Sequence, residues 1–99
     1  MSERPLSSLS YEELMKICEI AEEAARKYIT SKVPKEHISD LSISIELESE
    51  ETLSINVDVE VRLSSLYKDI NVKEIAESSV KAAFDAVEKH LNKIRLKRY

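Results

Sequence analysis

Apolar residues Leu14, Ile17, Ala21, Ala24 and Tyr28 recur at alternating spacings of three and four, the signature of an amphipathic helix. Cys18, Ala25 and Ile29 widen that stripe into a core-facing surface. Ser10 and Glu13 form an S-x-x-E capping box, and Leu9 with Leu14 fits a hydrophobic staple. Glu12 and Glu13 also suit the positive end of the helix dipole. Pro34 disfavours helix at Val33, so the spacing predicts a helix over 10–32 after an N-terminal extension of residues 1–9. The period then changes. Leu41, Ile43, Ile45 and Leu47 alternate with polar residues, and after a polar break so do Leu53, Ile55, Val57, Val59, Val61 and Leu63. Two period-two runs with a short break predict an antiparallel hairpin over 40–64, with one dry and one wet face. Asn71 and Glu74 repeat the cap pattern, and Val72, Ile75, Ala76, Val80, Ala83, Val87, Leu91 and Ile94 predict a second helix over 72–97, flanked by Ala82, Phe84 and Ala86.

The pattern also restricts strand register. Every inward strand residue is odd-numbered, so partners must share parity if both dry faces are to coincide. A two-residue loop between Ser49 and Thr52 breaks that parity, whereas a three-residue loop between Glu48 and Thr52 keeps it. Such loops usually use Gly in the left-handed region, and this chain has none. In that register Ser42 opposes Asp58, Glu46 opposes Ser54, and Asp40 opposes Glu60 as the nearest approach to a carboxylate pair.

The order α-β-β-α in one domain predicts a two-layer α+β fold, with both helices on the apolar face of the hairpin. A helix of about 22 residues spans about 33 Å and a strand of about 11 spans about 36 Å, so the layers match in length. They do not match in width. Two strands cover about 10 Å, while two helices side by side need about 20 Å. Both hairpin edges also carry unpaired backbone groups, and an isolated two-stranded sheet is weak. Self-association into a homodimer, through hairpin edges or remaining helix surface, answers both problems.

Composition removes whole classes of function. The 99 residues include no Gly, so a P-loop, a dinucleotide fingerprint and a nucleophile elbow are absent. One cysteine, Cys18, leaves no internal disulfide and no multi-cysteine metal site. No apolar run reaches the roughly 18 residues that span a bilayer, and residues 1–10 lack a signal-peptide core, so a cytoplasmic protein without membrane contact is expected. Fifteen Glu and ten Lys with no Gln and three Asn give the bias of heat-adapted proteins. A thermophile source is the expectation.

The hairpin Asp40–Val61 followed by the helical run Val72–Lys89 resembles a family of uncharacterised small archaeal proteins, a domain of unknown function. The likeness spans most of the chain and rests on patterning rather than on an invariant motif. The family's genes tend to lie near those for prefoldin and for the small dimerising subunit of the KEOPS tRNA-modification complex. The resemblance therefore implies an archaeal cytosol and a protein partner in translation or RNA processing, and it supplies no catalytic site. The helix-hairpin-helix order is also similar to that of prefoldin subunits, but their helices are much longer and project away from the hairpin.

Few side chains suggest chemistry. Cys18 lies on the buried side of the first helix, where a free cysteine acts as a small hydrophobe; a nucleophile would need a base and a lowered pKa. His37 and His90 stand 53 positions apart without the i, i+4 partner of a helical metal site. The wet face, with Glu46, Glu48, Asp58 and Glu60, reads as a solvated surface that repels nucleic acid; holding a hard cation there would take a carboxylate pair. No catalytic residue, cofactor or metal ligand is assigned. An enzyme would need a composite site built across a dimer interface.

Charge is more distinctive. Residues 1–88 sum to −9, and residues 89–99 carry Lys89, Lys93, Arg95, Lys97 and Arg98 without an acid, giving +5 and the overall −4. Cations near a helix C-terminus contribute about 0.3–1 kcal/mol each, which accounts for two or three better than for five. These five with Tyr99 form the candidate interaction segment. It suits an acidic protein surface, including the body of a second copy, or it suits RNA, with phosphates on the cations and Tyr99 as a stacking face. The reading is a non-catalytic assembly or adaptor factor, homodimeric, in an archaeal cytosol; the alternative is an RNA-associated factor using the basic helix end.

Overall fold

The structure, a computed structural model, describes residues 9–49, 53–64 and 71–96, without the side chains of Ser49, Leu53, Arg95 and Leu96. Helix α1 (Tyr11–Lys32) passes through a 3-10 turn at Lys35–His37 into β1 (Ile38–Ser49), then β2 (Leu53–Leu63) and α2 (Val72–Leu96). The class is α+β, two helices on a two-stranded antiparallel hairpin. Helix α1 lies along β1 and α2 along β2, with the helices packed against each other.

Each helix start is fixed locally. Ser10 Oγ accepts from the Glu13 backbone N–H at 3.2 Å, and Glu13 Oε1 accepts from the Ser10 N–H at 2.8 Å, completing the capping box. Asn71 Oδ1 accepts from the Glu74 N–H at 3.1 Å at the start of α2. At the end of α1, Val33 turns extended ahead of Pro34, and its N–H still donates to the Ile29 carbonyl at 2.9 Å.

The register corrects one expectation. Leu41 pairs with Val61, Ile43 with Val59, Ile45 with Val57 and Leu47 with Ile55, so parity is kept and apolar residues face each other. The last pair is Ser49 with Leu53, rather than Glu48 with Thr52. Cross-strand charge accounts for this two-residue shift. The expected register sets Asp40 against Glu60, whereas the observed one sets Asp40 against Arg62 and Glu60 against Ser42. No two carboxylates are directly opposed in the pairs of this ladder. The turn itself lies at residues 50–52, outside the described residues.

The hairpin also starts earlier than position 40. A register irregularity between Ile38 and Asp40 realigns Ile38 with Leu63, and Ser39 Oγ donates to the Arg62 carbonyl at 3.1 Å. The Ser64 N–H closes this end by donating to the His37 carbonyl at 2.8 Å.

The core line of α1 is Ile17, Ala21, Ala25 and Ile29, all wholly buried; Ala24 and Tyr28 of the predicted stripe stay half-buried. It is turned toward the flank because α1 must face α2 and the hairpin together. Ala21 and Ala25 meet Ala83 and Val87 of α2 in one cluster, and small side chains let the two helices approach closely. Ser79 of α2 is wholly buried, and its hydroxyl donates to the Ala76 carbonyl at 2.7 Å.

The molecule measures 56 × 22 × 19 Å, with a radius of gyration of 15.8 Å against about 13 Å for a compact chain of this length. A body that thin has little interior. Consequently Leu41, Ile43, Ile45, Leu47, Ile55, Val57 and Val59 are half-buried despite facing the helices.

Candidate interaction surface

The hairpin has two unlike ends. At the root, where α1 passes into β1, Ile29 and Val33 are wholly buried and Val61 nearly so. At the tip, near the start of α1 and the end of α2, Leu9, Leu14, Leu47, Ile55 and Leu91 are half-buried. Tyr11 and Met15 are exposed on the first turns of α1, at 75% and 46%, and Phe84 is exposed midway along α2, at 40%.

A groove of about 480 Å³ opens on the β2 side of this tip. Ile55 of β2 and Phe84, Val87 and Leu91 of α2 supply its apolar lining. The spacing of Phe84, Glu88 and Leu91 places them on one stripe of α2, beside the stripe that packs on α1. Asp85 and Glu88 line the same groove, both exposed. Asp85 sits four positions from both Lys81 and Lys89, yet neither Asp85 nor Glu88 has an ion pair among the described residues. The groove thus combines an apolar floor with two exposed carboxylates that make no ion pair among the described residues.

The candidate basic segment begins at this same end. Lys89 and Lys93 are exposed on the last turns of α2, without an ion pair among the described residues. The side chain of Arg95 and residues Lys97, Arg98 and Tyr99 lie outside the described residues.

The other candidates are dispersed. Cys18 is half-buried on α1, and burial pushes its thiol pKa up, away from the range of a reactive thiolate. His37 belongs to the root, where its backbone N–H donates to the Pro34 carbonyl at 2.9 Å, and His90 belongs to the last turns of α2 at the tip. The observed register removes the Asp40–Glu60 juxtaposition. Among the described residues no group of three or more His, Cys, Asp or Glu could hold one metal ion. No described helix is long and apolar enough to cross a membrane.

Sequence reasoning placed Phe84 only as a flank of the second helix and did not find the groove. The available signal was the breadth of the apolar arc: Ala83 and Phe84 stand about 100° apart on α2, wider than a single a/d seam with one partner helix requires.

A helix pair laid along a two-stranded hairpin, with an open groove between β2 and α2, defines a small two-layer α+β protein. Residues 6–90 match the model of a family described as protein of unknown function (DUF3194), and the chain belongs to that family. An uncharacterised protein of Pyrococcus horikoshii is 28% identical over 89 residues, covering 90% of this chain and 76% of that protein. The solution structure of a hypothetical protein from Methanothermobacter thermautotrophicus superposes with a TM-score of 0.79 at 25% identity, covering 96% of this chain and 99% of that one. A crystal structure from Thermococcus onnurineus gives the same TM-score at 26% identity, with 97% and 92% covered. These relatives fix the fold and an archaeal family, and their names assign no activity.

Proposed function

We propose that this protein is a non-catalytic assembly or adaptor factor of the archaeal cytoplasm that works by self-association and by holding a protein partner. The observation that carries this reading is the incomplete cover of the hairpin's apolar face, whose described inward side chains other than Val61 stay half-buried. Beside that layer Phe84 is exposed next to half-buried Ile55 and Leu91, and Tyr11 and Met15 are exposed on the first turns of α1. A contact that completes this cover removes apolar surface from water at about 25 cal/mol per Å². Chemistry finds less support, since the thiol is held protonated and the two histidines lie at opposite ends.

Sedimentation equilibrium of the whole chain over a wide concentration range tests the self-association. A mass that doubles with concentration supports the reading, and a monomer throughout overturns it. Affinity capture from an archaeal lysate with and without ribonuclease tests the partner. A stoichiometric protein that persists after ribonuclease supports an adaptor.

One observation favours a second reading, the unpaired Lys89 and Lys93 at the head of a +5 segment. Binding of RNA through Lys89, Lys93, Arg95, Lys97 and Arg98 predicts affinity that falls steeply with salt and disappears when residues 89–99 are removed.

A further inference from the structure

We infer that the tip groove between β2 and α2 receives the basic segment 93–99 of a second copy of this chain, exchanged reciprocally between the two copies. The inference rests on the self-association reading and names its site.

Charge selects the occupant. The rim offers Asp85 and Glu88 without an ion pair among the described residues, so a cationic segment is favoured and a nucleic-acid phosphate is repelled. Residues 93–99 supply Lys93, Arg95, Lys97 and Arg98, interleaved with Ile94, Leu96 and Tyr99. Such a segment offers cations to the rim and apolar side chains to the floor of Ile55, Phe84, Val87 and Leu91. The rest of the chain, at −9 over residues 1–88, draws the same segment from a distance.

Position selects the reciprocal arrangement. The groove and the end of α2 lie together at the tip, so a two-fold axis there brings each basic segment to the other copy's groove. Sheet extension from β2 to β2 is disfavoured by the helices themselves. Strands about 4.8 Å apart lie under helix axes about 8–10 Å apart, so joining two β2 edges drives the two α2 helices into one space.

A charge-swap experiment with the whole chain tests the exchange. One variant carries Asp85→Lys and Glu88→Lys; the other carries Lys97→Glu and Arg98→Glu. Circular dichroism establishes that both keep the wild-type fold, and sedimentation equilibrium reads association. Each variant alone is expected to self-associate more than about tenfold more weakly than wild type, because like charges then meet in both grooves. An equimolar mixture is expected to regain association, since each groove then meets a segment of opposite sign. Variants that associate as wild type overturn this inference and leave the self-association reading standing. Weakening without recovery in the mixture also overturns the inference. A wild-type chain that stays monomeric, folds its segment onto its own groove, or holds a short RNA oligonucleotide through residues 89–99 instead, overturns both.

Discussion

At the root of the hairpin, Ile29, Val33 and Val61 are shut away by the passage from α1 into β1, and the Ser64–His37 hydrogen bond ties the strand ends together. At the tip, residues of the same chemical type, Leu47, Ile55 and Leu91, remain half-buried, and Phe84 faces water. Composition does not cause the difference. At the root the passage from α1 through Lys35–His37 into β1 covers Ile29, Val33 and Val61. A two-stranded sheet under two helices is too narrow to seal its own apolar face, so its described inward side chains other than Val61 stay half-buried.

Truncations at the two ends give the largest contrast. Ile29→Ala removes a wholly buried side chain and should cost about 2–5 kcal/mol, lowering Tm by roughly 10 °C or more. Leu47→Ala, at a half-buried site, should cost about 1 kcal/mol in the monomer, because less apolar area is lost from the interior. Chemical denaturation at low and high protein concentration measures both. If Leu47→Ala costs as much as Ile29→Ala only at high concentration, a second copy covers the tip. If the costs are equal at every concentration, the contrast between the ends fails.

The helix caps sharpen the comparison at the next scale, because Ser10 serves the tip and Asn71 the root. Ser10→Ala removes one bond of a reciprocal pair and leaves the Glu13 N–H without its acceptor, at a cost of about 1 kcal/mol. Asn71→Ala should cost a similar amount. Amide hydrogen exchange separates the two sites. Ser10→Ala should raise exchange in the first turn of α1 alone, and Asn71→Ala in the first turn of α2. Exchange that spreads through both helices in either variant would show that the ends open as one unit.

What could be read from the sequence follows the range of each interaction. The capping box of Ser10 and Glu13, the stop before Pro34 and the strand parity are local, and all are found in the structure. The choice between two registers of equal parity was not local. It sets Asp40 against Arg62 instead of Glu60 across the sheet; the three-residue loop length was right, and placing that loop one residue too early shifted the pairing by two. The groove was hidden for a related reason. Phe84 becomes a groove residue only because α2 is rotated to point Val87 and Ala83 at α1, and no spacing within α2 fixes that rotation. The basic segment was legible as charge alone, which gives a sign to its partner and no geometry. Buried Ser79 was missed as well, since a serine that satisfies its own hydroxyl at the Ala76 carbonyl behaves as a small core residue.

On the exposed surface of α1, Arg26 bonds Glu22 at 2.7 Å with both side chains about half in solvent. Glu22→Gln should cost only about 0.3–0.5 kcal/mol, and the loss should shrink further in high salt. A larger, salt-resistant loss in thermal melts would mean that this flank is covered in solution, and the open surface would then extend beyond the tip.

Cys18 gives the smallest effect near neutral pH. Burial raises its thiol pKa in the folded chain, so the folded state holds its proton to higher pH than the unfolded state does. The sign follows directly. Its contribution to stability is full below the unfolded-state thiol pKa and is lost as pH rises through the folded one. Cys18→Ser should therefore leave the pH dependence of stability unchanged at neutral pH and flatten it only in the alkaline range. Iodoacetamide should label native Cys18 more slowly than the urea-unfolded chain at neutral pH, since less thiolate is present and access is reduced. Slower labelling at high protein concentration would place Cys18 beside the contact between copies. Fast labelling of the folded chain at every concentration would show a thiol in a cationic, accessible setting, and the flank of α1 carrying Met15 and Cys18 would then have to be reconsidered as a site of chemistry rather than of packing.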